Sequence, residues 1–110
     1  MAVIDYTSSL AMGVGFASLN DKYLVLGGND VVTVNFSGYA TASPGTDAII
    51  ATIPAVLVAN TSNIFFTGYK ATGAKGYVGG RIDSSGNIIL NLPEGGAGYW
   101  IQVTYVRRTA

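Results

Sequence analysis

Between Val31 and Thr41 the chain reads VVTVNFSGYAT, with apolar and polar residues changing places at almost every step. Two residues is the side-chain period of a β-strand with one buried face, and an α-helix cannot gather such a set onto one side. Val32, Val34, Phe36 and Ala40 fall on one face, expected to point into a core. Thr33, Asn35, Ser37 and Tyr39 fall on the other, expected to meet solvent or a partner. A chain built on this pattern must pair its strands, so the pattern constrains the fold more than any motif does.

The same texture runs through the sequence. Lys22–Leu26 reads as a short strand, followed by Gly27–Asp30, a turn of residues suited to positive φ. Ser43–Asp47 breaks the pattern as a loop, with Asp30 and Asp47 as turn-making residues. Ile49–Ile53 is an apolar strand stopped by Pro54, which lacks the ladder donor. Residues 55–62 read either as an irregular connection or as part of a strand. Asn63–Ala71 is a strand with Ile64, Phe66 and Gly68 opposed to Phe65, Thr67 and Tyr69, and Thr72–Gly76 turns it back. Tyr77–Asp83 and Asn87–Leu92 form a hairpin through Ser84–Asn87, closed by a type I turn with Gly86 in the left-handed region. After a loop at Pro93–Ala97, Gly98–Val106 is the last strand, with Tyr99, Ile101, Val103 and Tyr105 expected inside. That makes seven or eight strands at about ten-residue spacing, with no persuasive helical period. The expected class is all-β, a single antiparallel sandwich or barrel. Residues 21–110 form its body, and residues 1–20 are either a first strand or an arm packing on a neighbouring subunit.

Composition removes whole classes of function. Of 110 residues none is His and none is Cys. Ser-His-Asp and Cys-His nucleophiles, His metal sites, zinc ribbons and disulfide scaffolds are therefore absent in their usual forms. Net charge is zero with only six basic residues, which argues against nucleic-acid or acidic-membrane surfaces. No run of about 18 uncharged apolar residues exists, so no membrane insertion is expected. The best apolar candidate, Leu10–Leu19, is short and holds two glycines, and Asp5 stands where a signal peptide would carry basic residues. Gly13-Val-Gly15 lacks the third glycine and the helix of a dinucleotide fingerprint. Charged residues are only 11% of the chain, against about 25% in an ordinary domain. Surface this poor in charge is expected to be covered in part by another subunit, giving a homo-oligomer.

The order of elements from residue 63 to 106 is familiar: NIFFTGYKA, then GYVGGRID, a Ser-Ser-Gly-Asn turn, NIILNL, a Gly-rich loop and GYWIQVTYV. It resembles the C-terminal head domains of bacteriophage tail fibres and baseplate receptor-binding proteins, including the lactococcal phage type. In those, a strand with a His/Arg-Ile-Asp element, a glycine turn and a Trp-bearing return strand end the polypeptide. The likeness covers about residues 20–107. It implies a homotrimeric, jelly-roll-like head in the phage tail, assembled in bacterial cytoplasm beside other tail or baseplate proteins. Such a head binds host cell-wall or surface glycans without catalysis and without a cofactor. One departure stands out: the return strand Asn87–Leu92 has no tryptophan, and Trp100, the only one, lies on the last strand. The binding face then uses tyrosines, or lies elsewhere, or takes a different ligand.

Candidate site residues follow from alternation. Tyr77, Gly79, Arg81 and Asp83 fall on one side of their strand: an aromatic ring, a depression, a multi-donor cation and an acceptor carboxylate. Sugar C–H faces stack on such rings while hydroxyls bond the fork and the carboxylate. The plainer reading is an Arg81–Asp83 ion pair. Tyr39 and Tyr69, on polar-leaning faces, suit an interaction surface or ordinary cross-strand pairing. Trp100 shares a face with Gln102 and Thr104 and is a ligand platform or an interface anchor. The carboxylates, at 5, 21, 30, 47, 83 and 94, are sparse, and a glycosidase pair such as Asp83 with Glu94 is the weak enzymatic alternative. Asn35-Phe-Ser37 and Asn60-Thr-Ser62 match the glycosylation sequon by chance, and Arg107-Arg108 reads as a solvated basic tail. The rival to glycan binding is a purely structural virion module that trimerises a fibre or decorates a capsid.

Overall fold

A computed structural model describes residues 3–41, 45–58 and 62–108. Among these described residues the chain is all-β, with nine antiparallel strands in one sheet curled into a half-barrel. The strands are β1 (Ile4–Asp5), β2 (Ala11–Met12), β3 (Asn20–Leu26), β4 (Val31–Tyr39), β5 (Gly45–Thr52), β6 (Ile64–Lys70), β7 (Gly76–Ile82), β8 (Asn87–Leu92) and β9 (Gly98–Val106). Their order across the sheet is β1-β3-β4-β9-β6-β7-β8-β5-β2. The last strand thus sits centrally, between β4 and β6, with nine register pairs to β4.

Alternation does what the sequence requires. Val32, Val34 and Phe36 of β4 and Tyr99, Ile101, Val103 and Tyr105 of β9 line the inner face, packed with Leu24, Ile82, Ile88, Leu90 and Leu92. Each such side chain taken out of water contributes roughly 1.5–3 kcal/mol before chain entropy is counted. Two inner tyrosines keep their hydroxyls bonded: Tyr105 donates to the Leu57 carbonyl at 2.9 Å, and Tyr99 donates to the Glu94 carbonyl at 3.0 Å. The Ser84–Asn87 turn forms as expected, with Gly86 at φ +90° and its N–H donating to the Asp83 carbonyl.

Residues 3–19 form a strap across the curl. β1 pairs with β3 at one sheet edge, while β2, six residues later, pairs with β5 at the other. Gly13 and Gly15 then run against β5, their N–H groups donating to the Ile50 and Ile49 carbonyls. A Cβ on Gly13 would overlap the Ile49 carbonyl, so the strap lies too close for a side chain there. Phe16 bridges back to Ala40, and its ring wedges against Phe36 and Tyr99 with both centroid separations 6.2 Å. Two edges that would otherwise offer unpaired N–H and C=O groups are covered in this way by a single segment.

Two local expectations change. Gly45–Asp47 belongs to β5 rather than to a loop, because Gly45 pairs with Leu92 across a bulge. Residues 43 and 44 of that loop, residues 59–61 of the connection and Asn60 of the second sequon lie outside the described residues. Arg107 is not a solvated tail. Its Nε donates to Asp30 Oδ1 at 3.0 Å, a second guanidinium N–H donates to the Val56 carbonyl at 2.9 Å, and most of the side chain is covered.

Candidate functional site

Direct cross-strand partners in an antiparallel sheet point to the same face, so register decides which outer side chains meet. Tyr69 of β6 stands opposite Tyr77 of β7 on one side and opposite Trp100 of β9 on the other. Trp100 in turn stands opposite Ser37 of β4. One aromatic row therefore crosses β7, β6 and β9 on the outer face and ends in a hydroxyl. The Tyr69 and Tyr77 rings meet edge-to-face with centroids 5.3 Å apart. Tyr77 and Trp100 are 79% and 62% exposed, too open for ordinary core packing. Beside the row lies a concavity of about 390 Å³ lined by Tyr69, Tyr77, Trp100, Thr67, Asn35 and Gln102. Its polar groups are amide and hydroxyl, each both donor and acceptor.

Farther along β6 and β7 the face continues. Thr67 pairs with Gly79 and Phe65 pairs with Arg81. A second concavity of about 300 Å³ is bounded by Phe65, Gly79, Arg81, Asp47 and Asn91, with Ile89 on its floor. The Arg81 guanidinium donates to Asp47 Oδ1 at 3.0 Å.

The six residues singled out from sequence part company here. Tyr77, Tyr69 and Trp100 are brought together in the aromatic row. Arg81 lies on the same face but at the second concavity. Tyr39 is exposed on that face opposite Gly98, outside both concavities. Asp83 does not lie on the strand face: β7 ends at Ile82, and its carboxylate turns into the hairpin. Oδ1 accepts from the Ser85 and Asn87 N–H groups at 3.0 and 2.9 Å, and Oδ2 accepts from the Asn87 amide at 3.0 Å. Burial pushes this carboxyl up, but the bonds from Asn87 and Ser85 and the charge of Arg81 outweigh it and hold the carboxyl below its ordinary value. Arg81 takes Asp47 as its ion-pair partner, so the Arg81–Asp83 pair does not form and Asp47 is more than a turn residue. Asp83 and Glu94 flank opposite ends of β8, at least roughly 16 Å apart by strand rise, which is too far for a glycosidase pair.

Sequence reasoning missed Phe65, Asn35, Thr67, Gln102, Asp47 and Asn91 as contributors. The period-two pattern put Phe65 beside Thr67 and Tyr69, and a phenylalanine on that side was the available signal. Lys70 was also missed. It occupies an inward position of β6, only 3% exposed, with its ammonium bonded to the Thr72 and Ala74 carbonyls at 2.8 and 2.9 Å and to Glu94 at 2.8 Å. This clasp ties the β6–β7 turn to the β8–β9 loop.

Among the described residues no group of three or more His, Cys, Asp or Glu is placed to hold a metal ion. No protein-family model matches the chain, and no curated protein is similar to it. The chemistry of the outer face therefore carries the functional argument: flat π surfaces, uncharged amides and hydroxyls, and one guanidinium already neutralised by a carboxylate.

Proposed function

We propose that this chain is a non-catalytic recognition domain of a phage virion that attaches to saccharides on the host surface. The observation that carries this reading is the Tyr77–Tyr69–Trp100 row with Asn35, Thr67 and Gln102 beside it. Apolar sugar faces stack on aromatic rings, while hydroxyl groups need neutral donors and acceptors close by. Exposed charge would add little to an uncharged glycan, and the face has almost none. The resemblance of residues 20–107 to phage receptor-binding heads supplies the context: a jelly-roll-like head in a homotrimer at the phage tail, next to other tail or baseplate proteins. Weak single sites would then gain firm adhesion from several copies on one particle.

Binding of the isolated domain to host cells and to their purified surface glycans tests this directly. Saturable binding that Trp100→Ala weakens without unfolding the domain is the expected result. Absence of binding to any host glycan by a folded oligomer would overturn it.

The exposure of Phe65 (75%), Trp100 and Val106 together favours a second reading, in which the outer face is a seam between subunits of a structural virion module. Light scattering separates the two: on the second reading Trp100→Ala converts the oligomer to single chains.

A further inference from the structure

The two outer concavities touch at one register pair. Thr67 lines the aromatic concavity, Gly79 lines the Phe65–Arg81 concavity, and the two residues are direct cross-strand partners. A Cβ placed on Gly79 would meet no heavy atom within 4 Å, so the space above this glycine is open. This glycine is not imposed by packing. Its neighbour Gly80 is different, since a Cβ there would press on the Phe66 ring and the Ile89 carbonyl. An open glycine in a strand costs β-propensity and returns nothing to the fold. Its openness leaves room for a trough running from the Trp100, Tyr69 and Tyr77 row over Gly79 to Phe65 and Arg81.

We infer that this trough takes a linear, uncharged oligosaccharide lying along β6 and β7, with aromatic contacts at both ends and Gly79 as the saddle between two sugar subsites. The inference rests on the saccharide reading above and adds the length and direction of the ligand. Tyr77 and Arg81 are four residues apart on one strand, roughly 13 Å by strand rise. One pyranose ring cannot touch both ends, whereas a short chain of rings can. Phe65 at the far end is the most exposed phenylalanine and has an outer-face position matching that of Tyr69. Asp47 and Asn91 add acceptors, and Arg81 adds donors to spare beyond its bond to Asp47. The face brings no net charge to the ligand, which sets the class as neutral.

The test is titration of the full chain with neutral oligosaccharides graded from one to five rings, of glucose, galactose, rhamnose and N-acetylglucosamine, read by the fluorescence of the single tryptophan. For the sugar type that binds, affinity is expected to rise about tenfold or more between one ring and three, then level off. Phe65→Ala should lose that gain. Gly79→Val, whose Cβ would meet nothing within 4 Å and which favours a strand, should block the longer chains while the melting temperature stays the same or rises. Equal affinity for one ring and for three, or a long-chain affinity untouched by Phe65→Ala and Gly79→Val, overturns the two-subsite trough and leaves saccharide binding standing. Binding of no member of the set overturns the neutral-oligosaccharide trough, and failure of purified host glycans to bind as well overturns the saccharide reading with it.

Discussion

The ring of Tyr77 meets that of Tyr69 edge-on, with centroids 5.3 Å and planes 62° apart, on a sheet face that the fold does not need to cover. Such a pair is worth only about 0.5–1.5 kcal/mol. Two large rings held this way in solvent are more useful as a preorganised surface than as a source of stability.

Substitutions in the row should therefore separate binding from folding. Trp100→Ala and Tyr77→Ala are each expected to shift stability by less than about 1 kcal/mol, because both side chains are largely exposed. Each is expected to weaken glycan binding by about tenfold, the equivalent of one good stacking contact. Urea denaturation and glycan titration on the same samples check this.

Asp83 and Arg81 should behave in opposite ways. Asp83→Ala removes the acceptor for three turn hydrogen bonds and is expected to cost about 1–3 kcal/mol with no effect on binding. Arg81→Ala breaks a partly exposed ion pair and should cost less than about 1 kcal/mol, yet reduce affinity for the longer glycans. The contrast is read from melting curves beside binding isotherms.

The strap is the stability counterpart. Phe16 is almost fully buried between Phe36 and Tyr99, so Phe16→Ala is expected to cost about 3–5 kcal/mol. Gly38→Ala acts at the same place, since its Cβ would overlap the Ser18 carbonyl and crowd the Phe16 ring. Hydrogen exchange should show faster opening of β1 and β2 in both variants, with β4 and β9 opening last.

Acid sensitivity follows from the clasp. The hydrogen bond from Lys70, together with its charge, holds the Glu94 carboxyl below its ordinary value of 4.5. A carboxylate whose folded pKa is depressed stabilises the fold fully above its unfolded pKa and loses that contribution as pH falls through the folded value. Stability is therefore expected to decline below about pH 4.5. Glu94→Gln should flatten that acid limb while lowering stability at neutral pH. Asp83, also depressed, works in the same direction, and Asp83→Asn should flatten the limb further. Melting temperatures measured from pH 7 to pH 3 check the sign.

Much of this was legible in the chain because β4 and β9 alternate without a break, so Phe36, Tyr99 and Ile101 could be assigned to the core and Trp100 to the outside. The β7–β8 turn was legible for the same local reason, a glycine where the left-handed conformation is needed. What was not legible depends on pairing between distant segments. β1 and β2 have two residues each, too few for any period to register, and they exist because β3 and β5 offer edges. Gly45–Asp47 has the composition of a turn but is held extended by β8. Asp83 follows the alternation of its strand only if the strand runs one residue farther than it does. The site divides similarly: alternation found Tyr69, Tyr77 and Trp100 one by one, whereas their meeting in a row depends on β9 lying between β4 and β6.

The most direct test of the central claim is to map amide chemical shifts of the isotope-labelled protein while a glycan purified from host cells is added. The account predicts saturable shifts confined to outer-face residues of β6, β7 and β9, led by Tyr69, Tyr77, Gly79 and the Trp100 indole, with the strap residues Leu10 and Phe16 unmoved. Shifts centred on the strap or on the inner face, or none at all at saturating glycan, would contradict it.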